Sequence, residues 1–175
     1  MPDFTTAERA ILEARAARLA RAQDAEGSHA VRDTVVVRAG RDLYAIDAAR
    51  VRAVGAVARL TPIPQAPEHV AGFASFRGEI VVVFHLHGVL GLPTTLSEHG
   101  TLLSLDDGLA LAVDAVEGFR SIPEDELRPA PEGLSSILAP LVEAVDASGV
   151  ALLRFDALLA SERMFVDAGR SSVAT

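Results

Sequence analysis

The chain has 175 residues, a mass of 18.4 kDa, a formal net charge of −8 and a pI of about 5.0. It has no Cys, and all 16 basic residues are Arg; this excludes disulfides, thiol catalysis, Cys-ligated metal, Schiff-base chemistry and the P-loop lysine. The acidic balance argues against nucleic acid as a partner, and half the residues are hydrophobic, which marks a globular chain.

The longest strictly apolar runs, such as Ile80–Phe84, are five residues, far short of the ~20 a membrane-spanning helix needs. Met1–Thr6 is polar and lacks the basic-then-apolar pattern of a signal peptide. The expectation is a cytoplasmic protein with no membrane insertion. Its core must rest on Val, Leu and Ile, because aromatics are 5% of the chain, with one Tyr and no Trp.

Residues 5–23 read as a helix. Thr5 and Glu8 stand at capping-box spacing, and the Ala-rich interior has high helix propensity. Leu12, Ala16 and Leu19 form a thin apolar stripe. Arg9, Arg15, Arg18 and Arg21 against Glu8 and Glu13 leave the helix basic in an acidic chain. It is either a solvated helix or a docking element for a partner or for the acidic body. Residues 24–30 read as a linker broken by Gly27 and Ser28.

Short β-rich runs follow. Asp33–Arg38 and Leu43–Asp47 flank a turn at Gly40–Arg41, and Val51–Val57 is a further strand. Thr61–Pro67 holds Pro62, Pro64 and Pro67, so it cannot sit inside a sheet. Val70–Phe76 and Ile80–Leu86 are joined tightly through Arg77–Gly78. Asp106-Asp107-Gly108 between Leu102–Leu105 and Leu109–Asp114 is a strong hairpin signal, and Asp146–Gly149 joins Val142–Val145 to Val150–Leu153 in the same way. Phe155–Ala160 reads as helical, and the tail after Phe165 as frayed. Nine or ten short strands without βαβ alternation point to a small-barrel or sandwich architecture.

Catalytic signals are thin. GxGxxG, Walker, GxSxG and HExxH motifs are all absent. Glu124-Asp125-Glu126 follows Pro123 and reads as a solvated loop. His85 and His87 are the best metal candidates, because two residues apart at a strand end both imidazoles point to one face. Two ligands are too few for zinc unless His69 or His99 joins them, so two partly exposed histidines where a strand meets a loop are the favoured reading. No cofactor is expected.

Residues 60–93 run LTPIPQAPEHVAGFASFRGEIVVVFHLHGVLGLP. This stretch resembles the hallmark of the CheW coupling-protein family of bacterial chemotaxis, with Thr61, Pro62, Pro64, Ala66, Pro67, Val70, Gly72, Arg77, Gly78, Gly91 and Leu92 in matching order. Leu43–Ile46 with Val51 and Val54, Ala112–Val116, and Leu152–Leu159 resemble its flanking motifs. The likeness spans about residues 31–160.

The resemblance implies two intertwined five-stranded SH3-like β-barrels and no enzymatic activity. It implies a bridge between a CheA-like histidine kinase, through its regulatory domain, and the cytoplasmic tips of methyl-accepting receptors. Residues 1–30 would be a helix and linker, 31–165 the CheW-like domain and 166–175 a tail. The family's Asn-Leu before Arg-Gly is Ser75-Phe76 here, and the Asp and Arg of its D-L-R strand are His85 and His87. At neutral pH that exchange removes a salt bridge. The departures leave room for a specialised scaffold serving another complex, in motility or polarity.

Arg77 is the leading partner-binding candidate, either as a contact or as a residue tying its own loop. Gly78 gives the turn its freedom. Phe76 is core filler or an exposed anchor. Val51, Val54, Val113 and Val116 line the inter-barrel groove that the family offers to receptor helices, or pack in the core. Asp114 faces solvent or bonds a neighbouring loop.

Overall fold

The computed structural model describes residues 30–56, 59–93 and 100–164. The helix expected over 5–23, most of its linker, His99 and the tail lie outside these residues. Among them the chain forms twelve strands and two short α-helices. In order these are β1 Val31–Ala39, β2 Asp42–Asp47, β3 Ala53–Ala56, β4 Leu60–Thr61, β5 Val70–Phe76, β6 Glu79–His85, α1 Leu86–Val89, β7 Thr101–Ser104, β8 Leu109–Val113, β9 Ala115–Pro123, β10 Arg128–Pro129, β11 Val142–Val145, β12 Ala151–Leu153 and α2 Phe155–Ala160.

Two six-stranded sheets result, ordered β10-β11-β12-β2-β1-β9 and β3-β7-β8-β6-β5-β4. Each has five strands of three residues or more and one two-residue edge strand. The second sheet is built wholly from the middle of the chain, which leaves the first sheet after β2 and re-enters it at β9. Most ladders are antiparallel; β12 on β2 and β6 on β8 are parallel.

Four hairpins, β1–β2, β5–β6, β7–β8 and β11–β12, form where glycines mark them. At Asp107-Gly108 both residues have positive φ (59° and 71°), as a tight hairpin with the twist of its strands requires. β4 stops before Pro62, where a missing N–H ends the ladder.

The strands alternate between two kinds of interior. Val35, Val37, Tyr44 and Ile46 of the first sheet meet Phe84, Leu103, Leu111 and Val113 of the second in one shared core, closed by Phe155, Leu158 and Met164. The opposite faces bury smaller clusters. Val36, Ala45, Ile122, Val150 and Leu152 fill one, and Ala74, Val81, Val83, Leu102, Ala110 and Ala112 fill the other. Each sheet wraps a small interior of its own and shares its other face with its neighbour.

Besides the two-residue edge strands β4, which takes in Thr61, and β10, two elements depart from expectation. β9, nine residues long, appears where no strand is evident in the sequence. The strand expected to run from Ile80 to Leu86 ends at His85, and Leu86 opens α1.

The β11–β12 turn is held by a single carboxylate. Asp146 accepts hydrogen bonds from the Ser148 N–H (2.8 Å), the Val150 N–H (2.8 Å), the Ser148 hydroxyl and Arg120 (2.9 Å). Burial by itself raises its pKa, but these donors outweigh burial and hold it below the ordinary carboxylate value. Asp146→Ala leaves two backbone N–H groups without an acceptor, at an expected cost of about 2–3 kcal/mol. Because the folded pKa is depressed, this contribution is present above the unfolded value and lost as pH falls through the folded one. Urea denaturation of both proteins at neutral and acid pH checks this: the gap between them narrows on acidification.

Candidate partner-binding surface

The β5–β6 hairpin turns on Arg77-Gly78. Both residues have positive φ, 52° and 87°, the geometry of a two-residue turn that matches strand twist. Glycine takes this conformation freely; an arginine there costs about 1–2 kcal/mol. The Arg77 side chain is exposed, with its guanidinium carbon 5.9 Å from the centre of the Phe76 ring, at the limit of a cation–π contact. Phe76 is half-buried against the small core of the second sheet. Its ring lies so close over Gly55 of β3 that a Cβ there would be 2.7 Å from it. Phe76 is therefore part filler and part platform for Arg77.

Around this tip the second sheet carries apolar side chains out to solvent. Register pairs Phe73 with Val82, Ser75 with Ile80 and Val82 with Leu109, so these share one face. Val82, Leu109 and Val54 pack against the shared core. Beyond them Ile80 is 77% exposed, and Phe73 is also exposed. A strip of this kind, with charge at its rim in the Arg52–Asp106 pair, is chemistry for holding another protein.

Val51, Val54 and Val116 are half-buried against the shared core. Val113 is 3% exposed and belongs to the core itself; its side chain packs inward and presents nothing to a partner. Phe119 of β9, 75% exposed, is not marked by any motif. An isolated aromatic in the mixed run Glu117–Ser121 carries no periodic signal.

His85 ends β6 and His87 lies in α1, so the shared strand face expected for them does not exist. His87 is 4% exposed, not partly exposed as the sequence suggested. Its Nε2 lies 3.3 Å from Asp114 Oδ2 without the alignment of a hydrogen bond. That carboxylate already accepts the Gly40 N–H at 2.7 Å, and the Asp114 N–H donates to Arg38 O at 3.1 Å. Asp114 thus ties the β1–β2 turn to the strand crossing between sheets. Among the described residues no three His, Asp or Glu side chains gather as a metal site.

Burial and then the neighbouring His87 push the pKa of His85 down; burial and then Arg163 push down that of His69. A histidine whose folded pKa is depressed takes up more protons when unfolded. Stability is therefore expected to fall as pH drops below about 6.5. Denaturant melts at pH 7.5 and 5.5 check this, and His85→Gln is expected to reduce the difference between them.

Comparison with known proteins gives a consistent picture. The CheW-like domain family model matches residues 33–163. Among curated relatives, chemotaxis protein CheW of Treponema pallidum is 26% identical over 127 residues, covering 68% of this chain and 75% of its own length. Protein FrzA of Myxococcus xanthus is 32% identical over 114 residues, covering 59% and 70%. The crystal structure of the scaffolding protein TtCheW from Thermoanaerobacter tengcongensis has a TM-score of 0.62 at 24% identity, covering 71% of this chain and 90% of that one. No helix among the described residues is long and apolar enough to cross a membrane. By the family model and these relatives, the chain belongs to the CheW-like domain family.

Proposed function

We propose that this protein is a scaffold without chemistry of its own, with residues 31–165 as its binding unit. It couples a CheA-like histidine kinase, through that kinase's regulatory domain, to the cytoplasmic tips of methyl-accepting receptors, and it works at receptor arrays in the cytoplasm. Family membership over residues 33–163 supports the class of function, as do the chemotaxis proteins among its relatives. The observation that carries the reading is Arg77, a non-glycine residue kept in the left-handed region at an exposed hairpin tip. Strain retained at an exposed site, where Asn would serve the backbone better, points to a role for the side chain.

In this reading Arg77 offers its guanidinium to a carboxylate on the kinase, and Ile80 and Phe73 beside it supply apolar contact. Val51, Val54 and Val116 face the receptor helices. The test is capture of kinase and receptors from the native host on immobilised full-length chain. Arg77→Asn is expected to hold or slightly raise the thermal midpoint while reducing kinase capture by about tenfold or more. Ile80→Asp is expected to weaken capture with a stability change within about 0.5 kcal/mol. Wild-type chain that recovers neither kinase nor receptor sinks the proposal. Undiminished capture by Arg77→Asn removes Arg77 from the contact.

A further inference from the structure

The core-facing side of the β1–β9 pair runs past the core it helps to build. Register sets Val35 opposite Phe119, Asp33 opposite Ser121 and Val31 opposite Pro123, so these residues share a face. At the inner end of that face Val35 and Val37 are fully buried. Toward the start of β1 the same face is bare: Val31 is 57% exposed, and Phe119 is the exposed aromatic. Two adjoining concavities of about 510 and 550 Å³ lie here, and both are lined by Asp33 and Ala48. β9 is also the free edge of its sheet. Folded proteins cover or blunt a long edge with an apolar side chain on it.

The charges around these concavities are unbalanced. Asp33 accepts from the Ser121 hydroxyl and Asp47 from the Ala49 N–H, and neither is in an ion pair among the described residues. The bordering cations are already engaged, Arg32 with Glu124 and Glu143 and Arg120 with Asp146. An occupant that suits the site is therefore apolar along one stripe and basic beside it.

The chain supplies such a segment at this place. Ala30, whose carbonyl accepts the Glu124 N–H at 2.9 Å, directly precedes Val31 of the concavity lining, and 29 residues precede it. With 3.6 residues per turn, a helix over 5–23 is about 28 Å long and sets Arg9 and Arg15 roughly 60° to either side of the Leu12–Leu19 stripe. The six residues 24–29 reach up to about 20 Å, enough to lay that helix back across the sheet. A flexible tether of that length corresponds to an effective concentration in the millimolar range.

We infer that residues 5–23 dock as a helix across the Val31–Phe119 concavity of their own chain, with Leu12 and Leu19 on Phe119 and Ala48, and Arg9 and Arg15 toward Asp33 and Asp47. This does not depend on the partners proposed above.

The absence of cysteine allows a clean test on the full chain. A nitroxide is attached through Ala17→Cys, on the side of the helix away from the stripe, in ¹⁵N-labelled protein. The amide signals of Ala48, Phe119 and Ser121 are expected to lose most of their intensity with the oxidised label and regain it on reduction. Leu12→Ser with Leu19→Ser in the same chain is expected to abolish the loss while the remaining amide shifts stay in place. Absence of signal loss overturns the inference, and so does loss that persists in the double Ser variant. The same loss in the cysteine-free ¹⁵N chain when it is mixed with spin-labelled ¹⁴N chain assigns the site to a second copy and also overturns it.

Discussion

The shared core is the constraint on which the rest of the molecule depends. Neither sheet can bury both faces alone, because the small interiors are filled largely by Val and Ala. The larger side chains, Phe84, Leu103, Leu111, Tyr44, Ile46 and Phe155, meet between the sheets. Each such side chain contributes about 1.5–3 kcal/mol when fully buried. A chain this poor in aromatics therefore places much of its stability in the contact that fixes one sheet against the other. That contact decides where strands run past the core and leave apolar side chains uncovered. It happens twice, at Ile80 and Phe73 on one sheet and at Val31 and Phe119 on the other.

Polar groups define the joints. Asp114 sits where the chain passes from β8 to β9 and holds the β1–β2 turn through the Gly40 N–H, with His87 pressed against it from α1. The exchange of Asp and Arg for His85 and His87 thus does not empty the position. A buried imidazole stands beside the Asp114 carboxylate there. Asp146 does the equivalent work inside one hairpin, where two backbone N–H groups and Arg120 converge on it.

The hairpins were legible because their turn chemistry is local: Asp107-Gly108, Arg77-Gly78 and the Asp146–Gly149 stretch each announce a reversal. Nine of the ten longer strands and α2 follow from alternation and spacing, and the prolines from Pro62 onward show why the chain leaves the ladder after Thr61. β9 was not legible. Its run Val116–Ser121 mixes Glu, Gly, Phe and Arg with no alternation, as an edge strand with a partly bare face permits. α1 was missed because four residues make barely one helical turn and show no repeat, and Leu86 and Val89 extend the apolar run of β6. In the candidate surface, Arg77 and Gly78 could be read from the turn and core packing was one reading of Val113, but the burial of His87 could not be read. His87 is buried because α1 sets it against Asp114 and the β1–β2 turn at Gly40, which are distant in sequence.

The route of the chain between the sheets has a kinetic consequence. In the second sheet β4–β5, β5–β6 and β7–β8 join consecutive strands, whereas the longest ladder of the first sheet joins Val31 to Pro123 across the whole second sheet. Closing so wide a loop is slow unless its contents are already compact, since the entropy of closure precedes any reward from the pairing. The inserted sheet is then the natural nucleus, and β1 finds β9 last. Refolding should therefore be limited by the meeting of the two ends of the domain, and a cut in the middle of the chain should harm assembly more than a cut near either end.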